Sequence, residues 1–160
     1  RGGHHRPFND LGYAGVRIME AHENYIMQHN DIRVENGIAY GDVIEGVDFE
    51  YAKKLTAVNA INLASLAWAP PSLEELSIGG VVEASVKFKW KKIDNPNISG
   101  YKIYWRDTTS PTWDYSRYVG DVSEATLEGI VIDNFFFGVS TVGKNGFESP
   151  VVFPNSVFRN

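Results

Sequence analysis

The sequence predicts an α+β segment followed by an all-β antiparallel sandwich. Three observations predict it. Apolar residues recur at helical spacing before the seam Ala69-Pro70-Pro71-Ser72 and alternate with polar ones after it. The two adjacent prolines of that seam remove two backbone donors and hold the preceding residue extended, so a helix must stop there. Beyond it, short runs separated by Gly, Pro and Asn at near-regular spacing form the pattern of a sandwich. The boundary is therefore set between residues 69 and 70, giving segments 1–69 and 70–160.

Composition narrows the classes. The 160 residues are 43% hydrophobic and 22% charged, the balance of a folded chain rather than a disordered tail. There is no Cys, which excludes a disulfide scaffold, Cys-ligated zinc and a Cys nucleophile. Lys plus Arg total 15 against 20 Asp plus Glu, a net charge of −5, which argues against a nucleic-acid or anionic-membrane partner. No phosphate-binding Gly loop or EF-hand spacing occurs. No apolar run approaches the roughly 18 residues of a membrane span. The chain opens Arg1-Gly2-Gly3, with no Met and no apolar leader core, and reads as the interior of a longer protein.

The elements follow in order. Gly12 to Ile18 reads as a turn and a short strand, burying Val16, Ile18 and Met19. Residues 20–47 form a long polar loop punctuated by the turn signal Asn36-Gly37, and a loop of that length in a compact domain is functional or disordered. Asp48 to Trp68 lacks Gly and Pro and reads as a helix capped by Asp48, with Tyr51, Leu55, Val58 and Leu66 on one stripe. Asn59 and Asn62 lie on or beside that stripe, where each is expected to bond neighbouring backbone. Nothing in residues 1–47 is large enough to cover the helix, which points to a further packing partner.

After the seam, Val82, Ala84, Val86, Phe88 and Trp90 alternate with Glu83, Ser85, Lys87 and Lys89, a half-buried strand. Tyr101, Ile103 and Trp105 begin a second, after the turn residues Asp94-Asn95-Pro96-Asn97 and Ser99-Gly100. Ala125 to Ile132 and Phe135 to Val142 supply two more. Lys144-Asn145-Gly146 makes a tight turn into Phe147 to Phe153. Trp90, Trp105 and Phe137 are core aromatics. Trp113, Tyr115 and Tyr118 fall in a longer connection, as scattered surface aromatics or as a sugar- or protein-binding patch.

All four His lie at positions 4, 5, 22 and 29. Without Cys, imidazole and carboxylate are the usual zinc ligands. The spacing carries no His-Glu-x-x-His signature, so composition leaves both a metal site and solvated loop histidines open.

Two resemblances add to this. From Pro70 to Phe158, "VKFKW", "ISGYKIYWRDT" and "FFFGVSTVGKNGFESP" resemble a fibronectin type III domain. Phe135 to Phe137 stand where that family has a corner tyrosine. From Arg1 to Pro70, "RGGHHRPFNDLGYAGVRIMEAHENYIMQHNDIRVENG" and "VDFEYAKKLTAVNAINLASLAWAP" resemble the carboxy-terminal end of a co-catalytic zinc exopeptidase. That family includes bacterial leucyl aminopeptidases, glutamate carboxypeptidase II and glutaminyl cyclase. The implied fold class is an α+β fragment, the C-terminal piece of an α/β zinc exopeptidase domain, plus an all-β fibronectin type III-like sandwich.

The resemblance implies that His29, in the loop after Asn24-Tyr25, is the last zinc ligand. It places His4, His5 and Tyr25 in the substrate pocket or around the ligands, with His5 matching the His of an Asp-His pair and His4 standing where the family has Asp. Ile26 and Met27 replace a His expected directly after Tyr25, and Asp31 is only two residues beyond His29. The remaining ligands and the Glu general base would lie upstream, so no catalytic residue is expected in this chain. In the complete enzyme two zinc ions would polarise the scissile carbonyl of a peptide and activate water.

The chain is thus expected to be part of a zinc-dependent aminopeptidase-type hydrolase, inactive alone, with a peptide substrate and the upstream part of the same domain as partners. The alternative is a degenerate, non-catalytic surface protein that binds a protein partner through its sandwich. Either implies an extracellular or bacterial cell-surface or periplasmic location.

Overall fold

The structure, a computed structural model, describes residues 3–13 and 15–158. Ala14, within the strand expected over Gly12 to Ile18, lies outside the described residues. The chain divides into two units, Arg1–Ile61 and Asn62–Asn160.

In the first unit, helix α1 (Arg6–Asp10) begins beside Pro7, whose fixed φ suits a first helical turn. The expected strand over Val16 and Ile18 is not formed. Those residues are irregular, and Val16 is 80% exposed. The apolar pattern is there, but no neighbouring strand among the described residues supplies a hydrogen-bond ladder. The polar loop instead holds a hairpin, β1 (Arg33–Glu35) and β2 (Ile38–Tyr40), closed by Glu35↔Ile38. Its two turn residues, Asn36 and Gly37, have φ of 52° and 77°, the left-handed pair of a type I′ turn.

Helix α2 (Phe49–Trp68) forms as the sequence predicts. Asp48 caps it, its carboxylate accepting the amide proton of Tyr51 at 2.9 Å. Asn59 donates to the Leu55 carbonyl at 2.8 Å, the neighbouring-backbone bond expected of it. No residue of α2 is buried; of its apolar stripe Leu55 is half-buried, while Tyr51, Val58 and Leu66 are exposed. From Asn62 onward the helix groups with the second unit. There the Trp68 ring packs on Phe147 at 5.3 Å, and the Asn145 side chain donates to the Trp68 carbonyl at 3.0 Å.

The second unit is built from two sheets. One has the order β7 (Glu124–Glu128), β4 (Ser85–Trp90), β3 (Leu76–Gly79), β9 (Ser156–Val157); the other β6 (Tyr115–Gly120), β5 (Ile98–Asp107), β8 (Phe135–Gly143). Bridges Val142↔Glu148 and Val139↔Val152 bring the segment after the Lys144-Asn145-Gly146 turn alongside β8. This is the two-sheet sandwich the alternation predicts, antiparallel except where the short β9 runs parallel to β3. Leu76, Val86, Phe88, Tyr101, Ile103, Leu127 and Val139 are fully buried between the sheets. Phe88 meets Phe137 at 5.6 Å, and Trp90 meets Tyr101 at 5.2 Å. No tyrosine stands at 135–137, but the Tyr101 hydroxyl accepts from the Ile93 amide at 2.9 Å and ties down the chain leaving β4.

Two expectations are corrected here. The strand expected from Val82 starts at Ser85. Val82 has φ of 67° and is 98% exposed, in a turn where the Glu83 amide donates to the Gly80 carbonyl at 3.0 Å. A Cβ at Gly80 would lie 2.1 Å from the Ser85 carbonyl oxygen, so only glycine lets the chain fold back between β3 and β4. The second correction concerns Tyr115 and Tyr118, which belong to edge strand β6 rather than to a connection.

Phe88→Ala should destabilise the sandwich by about 3–5 kcal/mol, the usual cost of emptying a buried aromatic site. Urea unfolding followed by tryptophan fluorescence measures it, and a loss below about 1 kcal/mol would contradict the core described.

Candidate functional site

Residues 24–30 form a loop fixed by its own asparagines. The Asn24 side chain accepts the Ile26 amide proton at 3.1 Å. The Asn24 carbonyl accepts from Met27 at 3.2 Å and Gln28 at 3.0 Å, one turn of helix. Asn30 closes the other end, its amide donating to the carbonyls of Tyr25, Ile26 and Gln28 at 2.8, 3.1 and 3.1 Å. Between the two, His29 has φ of 58°. A left-handed β-carbon-bearing residue costs roughly 1–2 kcal/mol, so such strain persists only where surrounding bonds over-determine it, most often at functional positions. The imidazole is exposed, and the Ile26 carbonyl also accepts from the Gly41 amide at 3.3 Å, joining the loop to the end of β2.

Beside this loop lies a cleft of about 400 Å³ whose lining includes Arg17, Met19, Glu23, Met27, Gln28 and Asp42. Arg17 donates to Glu23 at 3.0 Å, with the Glu23 side chain only 9% exposed. Sequence reading did not single out this pair. Its only signal was opposite charge six residues apart in a segment with no regular period.

His4 and His5 form the turn that leads into α1. The His5 carbonyl accepts from Phe8 and Asn9 at 3.1 and 3.0 Å, starting the helix. Its half-buried ring is crowded by two glycines. A Cβ on Gly3 would lie 2.8 Å from His5 Nδ1, and one on Gly15 would lie 3.2 Å from His5 Cβ. His4 and Tyr25 are exposed. Among the described residues no three His, Asp or Glu side chains converge to hold a metal ion. The residues present therefore do not fit a zinc site by themselves. They offer one rigidly presented imidazole, His29, and one packed imidazole, His5.

One outer face of the second unit carries a bonded polar cluster centred on Glu148. Glu148 accepts from Lys102 Nζ at 3.0 Å, Ser140 Oγ at 2.9 Å and the Tyr104 hydroxyl. Burial pushes the Glu148 carboxyl up, but the bonds from Tyr104, Lys102 and Ser140 and the Lys102 charge outweigh it and hold the group below the ordinary carboxylate range. Burial and the bond to Glu148 push the Tyr104 hydroxyl up, which keeps it a donor. Trp113 packs between Tyr104 at 5.9 Å and Phe153 at 5.4 Å. Only Tyr115 and Tyr118 of the three expected surface aromatics are exposed.

Comparison with known proteins adds relatives to this geometry. The chain is 41% identical over 155 residues to a probable zinc metalloprotease of Leptosphaeria maculans, covering 96% of this chain and 36% of that protein. A probable zinc metalloprotease of Pyrenophora tritici-repentis is 39% identical over 155 residues, covering 96% and 32%. The chain is related to zinc metalloproteases over a fragment. It spans about a third of the length of those relatives. Their names imply zinc and, through proteolysis, a peptide substrate. They are fungal, so they give no support to the bacterial origin expected from the sequence. No family model matches. A solved fibronectin type III domain of the human collagen alpha-1(XX) chain superposes with a TM-score of 0.45 at 14% identity, over 58% of this chain and 91% of that one. So loose a fit adds nothing to the strand order above. No helix among the described residues is long and apolar enough to cross a membrane.

Two outcomes test this geometry. Asn30→Ala should lower the local opening free energy of the loop by about 1–2 kcal/mol, so that the amides of Met27 and Gln28 exchange roughly 5- to 30-fold faster. Unchanged exchange would show that Asn30 does not hold the loop. In the sandwich, a carboxyl with a depressed folded pKa contributes stability above its unfolded value of about 4.3 and loses it as pH falls through the folded value. The stability gap between the parent chain and Glu148→Gln should therefore be full near neutrality and shrink below about pH 4. Urea titrations at stepped pH measure it, and a gap independent of pH would remove Glu148 as the cause.

Proposed function

We propose that this chain is the terminal part of the catalytic region, with an appended fibronectin type III-like sandwich, of an exported zinc exopeptidase that trims amino-terminal residues from peptides. The observation that carries the reading is the relation to zinc metalloproteases along 96% of the chain. The 24–30 loop supports it by presenting an exposed His29 in a strained, fully bonded setting. In this reading His29 contributes one zinc ligand. The other ligands of a two-zinc centre and the general base come from the two-thirds of the protein outside these residues. The isolated chain is then inactive. His5 and Tyr25 line the approach to the centre, and His4 replaces a negative charge there with a neutral or positive one.

His29→Ala in the full-length protein, which removes a single ligand, should lower zinc content and reduce kcat/KM for an aminoacyl substrate by at least about 100-fold, since even groups that only support a ligand are worth 10- to 100-fold. Elemental analysis and a fluorogenic aminopeptidase assay read both. Full zinc and full activity in the variant would remove His29 as a ligand. Parent protein without zinc or turnover would favour a non-catalytic surface protein acting through its sandwich.

A further inference from the structure

Asn97-Ile98-Ser99 is the single Asn-x-Ser/Thr triplet of the chain, and its middle residue is not proline. This triplet is the acceptor sequence for asparagine-linked glycosylation. Most such triplets carry no information until their place in the fold is known, because a buried or internally bonded asparagine could not carry a glycan.

The fold sets Asn97 apart in three ways. It lies exposed in the turn that leads into β5. Its backbone is fixed: its amide donates to the Asn95 side chain at 2.9 Å, and its carbonyl accepts from Lys144 at 2.8 Å. Its side-chain amide makes no hydrogen bond among the described residues, so a sugar on Nδ2 displaces nothing. Asn97 also opens on a cleft of about 440 Å³ whose walls include Trp68, Pro70, Pro71 and Asn145. That gives a proximal sugar apolar surface and an amide to lie against. Ser99 behaves differently. Its hydroxyl is half-buried and donates to the Val142 carbonyl at 3.1 Å.

We propose that Asn97 is an N-glycosylation site, modified before β5 pairs with β8. The proposal rests on the export reading above and on the fungal character of the relatives. In the transfer, Nδ2 of Asn97 attacks C1 of the first N-acetylglucosamine of a polyprenyl-diphosphate-linked oligosaccharide. The N–C1 bond forms as the C1–O bond breaks, the lipid diphosphate leaves with the electron pair, and the Nδ2 proton passes to a base of the transferase. No oxidation or reduction occurs. The order of events follows from Ser99. A transferase must reach its hydroxyl, and once β5 and β8 are paired that hydroxyl is committed to Val142, whereas the amide of Asn97 stays outside.

The test uses the full-length protein expressed in a filamentous fungal host. Medium and cell fractions are probed, and the tryptic peptide from Ile93 to Lys102 is analysed by mass spectrometry before and after a glycoamidase that hydrolyses the side-chain amide of a glycosylated asparagine. Secreted protein should carry this peptide as a glycopeptide that the enzyme converts to one with an aspartate in place of Asn97. Asn97→Gln should abolish the modification with the sandwich still folded. Ser99→Ala should abolish it too, and Ser99→Thr, which keeps the hydroxyl, should restore it. Secreted protein with a bare peptide would overturn the site and leave the export reading standing. Protein confined to the cell interior would overturn export, and this proposal with it.

Discussion

The ladder between β5 and β8 is the constraint on which the second unit depends. It runs without a break from Gly100↔Val142 to Asp107↔Phe135, with a single register shift at its start. Its alternation fixes which side chains face inward, and those residues, Tyr101, Ile103, Phe137 and Val139, are buried. The outward set of the same two strands, Lys102, Tyr104 and Ser140, meets Glu148. A one-residue slip would exchange the two sets, exposing the core aromatics and burying a lysine. One register therefore decides both the hydrophobic core and the charged outer face.

The first unit follows a different logic. Its order comes from local bonds: the Asp48 cap, the Asn36-Gly37 turn and the paired asparagines of the 24–30 loop. Its large apolar side chains, Leu11 at 76% exposed and Val16 at 80% among them, find no core. Such a surface is far more apolar than an isolated domain of this size normally shows. It agrees with a chain that spans a third of its relatives' length.

What could be read from the residues followed the same division. The alternation over Val86, Phe88 and Trp90 and the Asp48 cap were legible because period and capping chemistry are local. The tight turn at Lys144-Asn145-Gly146 was legible for the same reason. Strand β3 was not, because Leu76 to Gly79 is too short to show a period and ends in a glycine that a second glycine follows. Val82 was misassigned because it continues the alternation of β4 while its backbone is turning. The β1–β2 hairpin showed only its turn. At the candidate site, His29 came from resemblance. The bonds that hold it, from Asn24 and Asn30, link positions with no periodic relation, and the Arg17–Glu23 pair depends on a chain path that no spacing encodes.

The backbone of His29 has a consequence for the way this position tolerates change. At φ of 58°, glycine is the residue of lowest conformational cost, and any other side chain with a β-carbon bears the strain without offering an imidazole. Loop stability and the role proposed for His29 thus pull position 29 in opposite directions. A search for hardier versions of this protein would be drawn to it, and the sturdiest loop obtained that way would be the one with its imidazole removed.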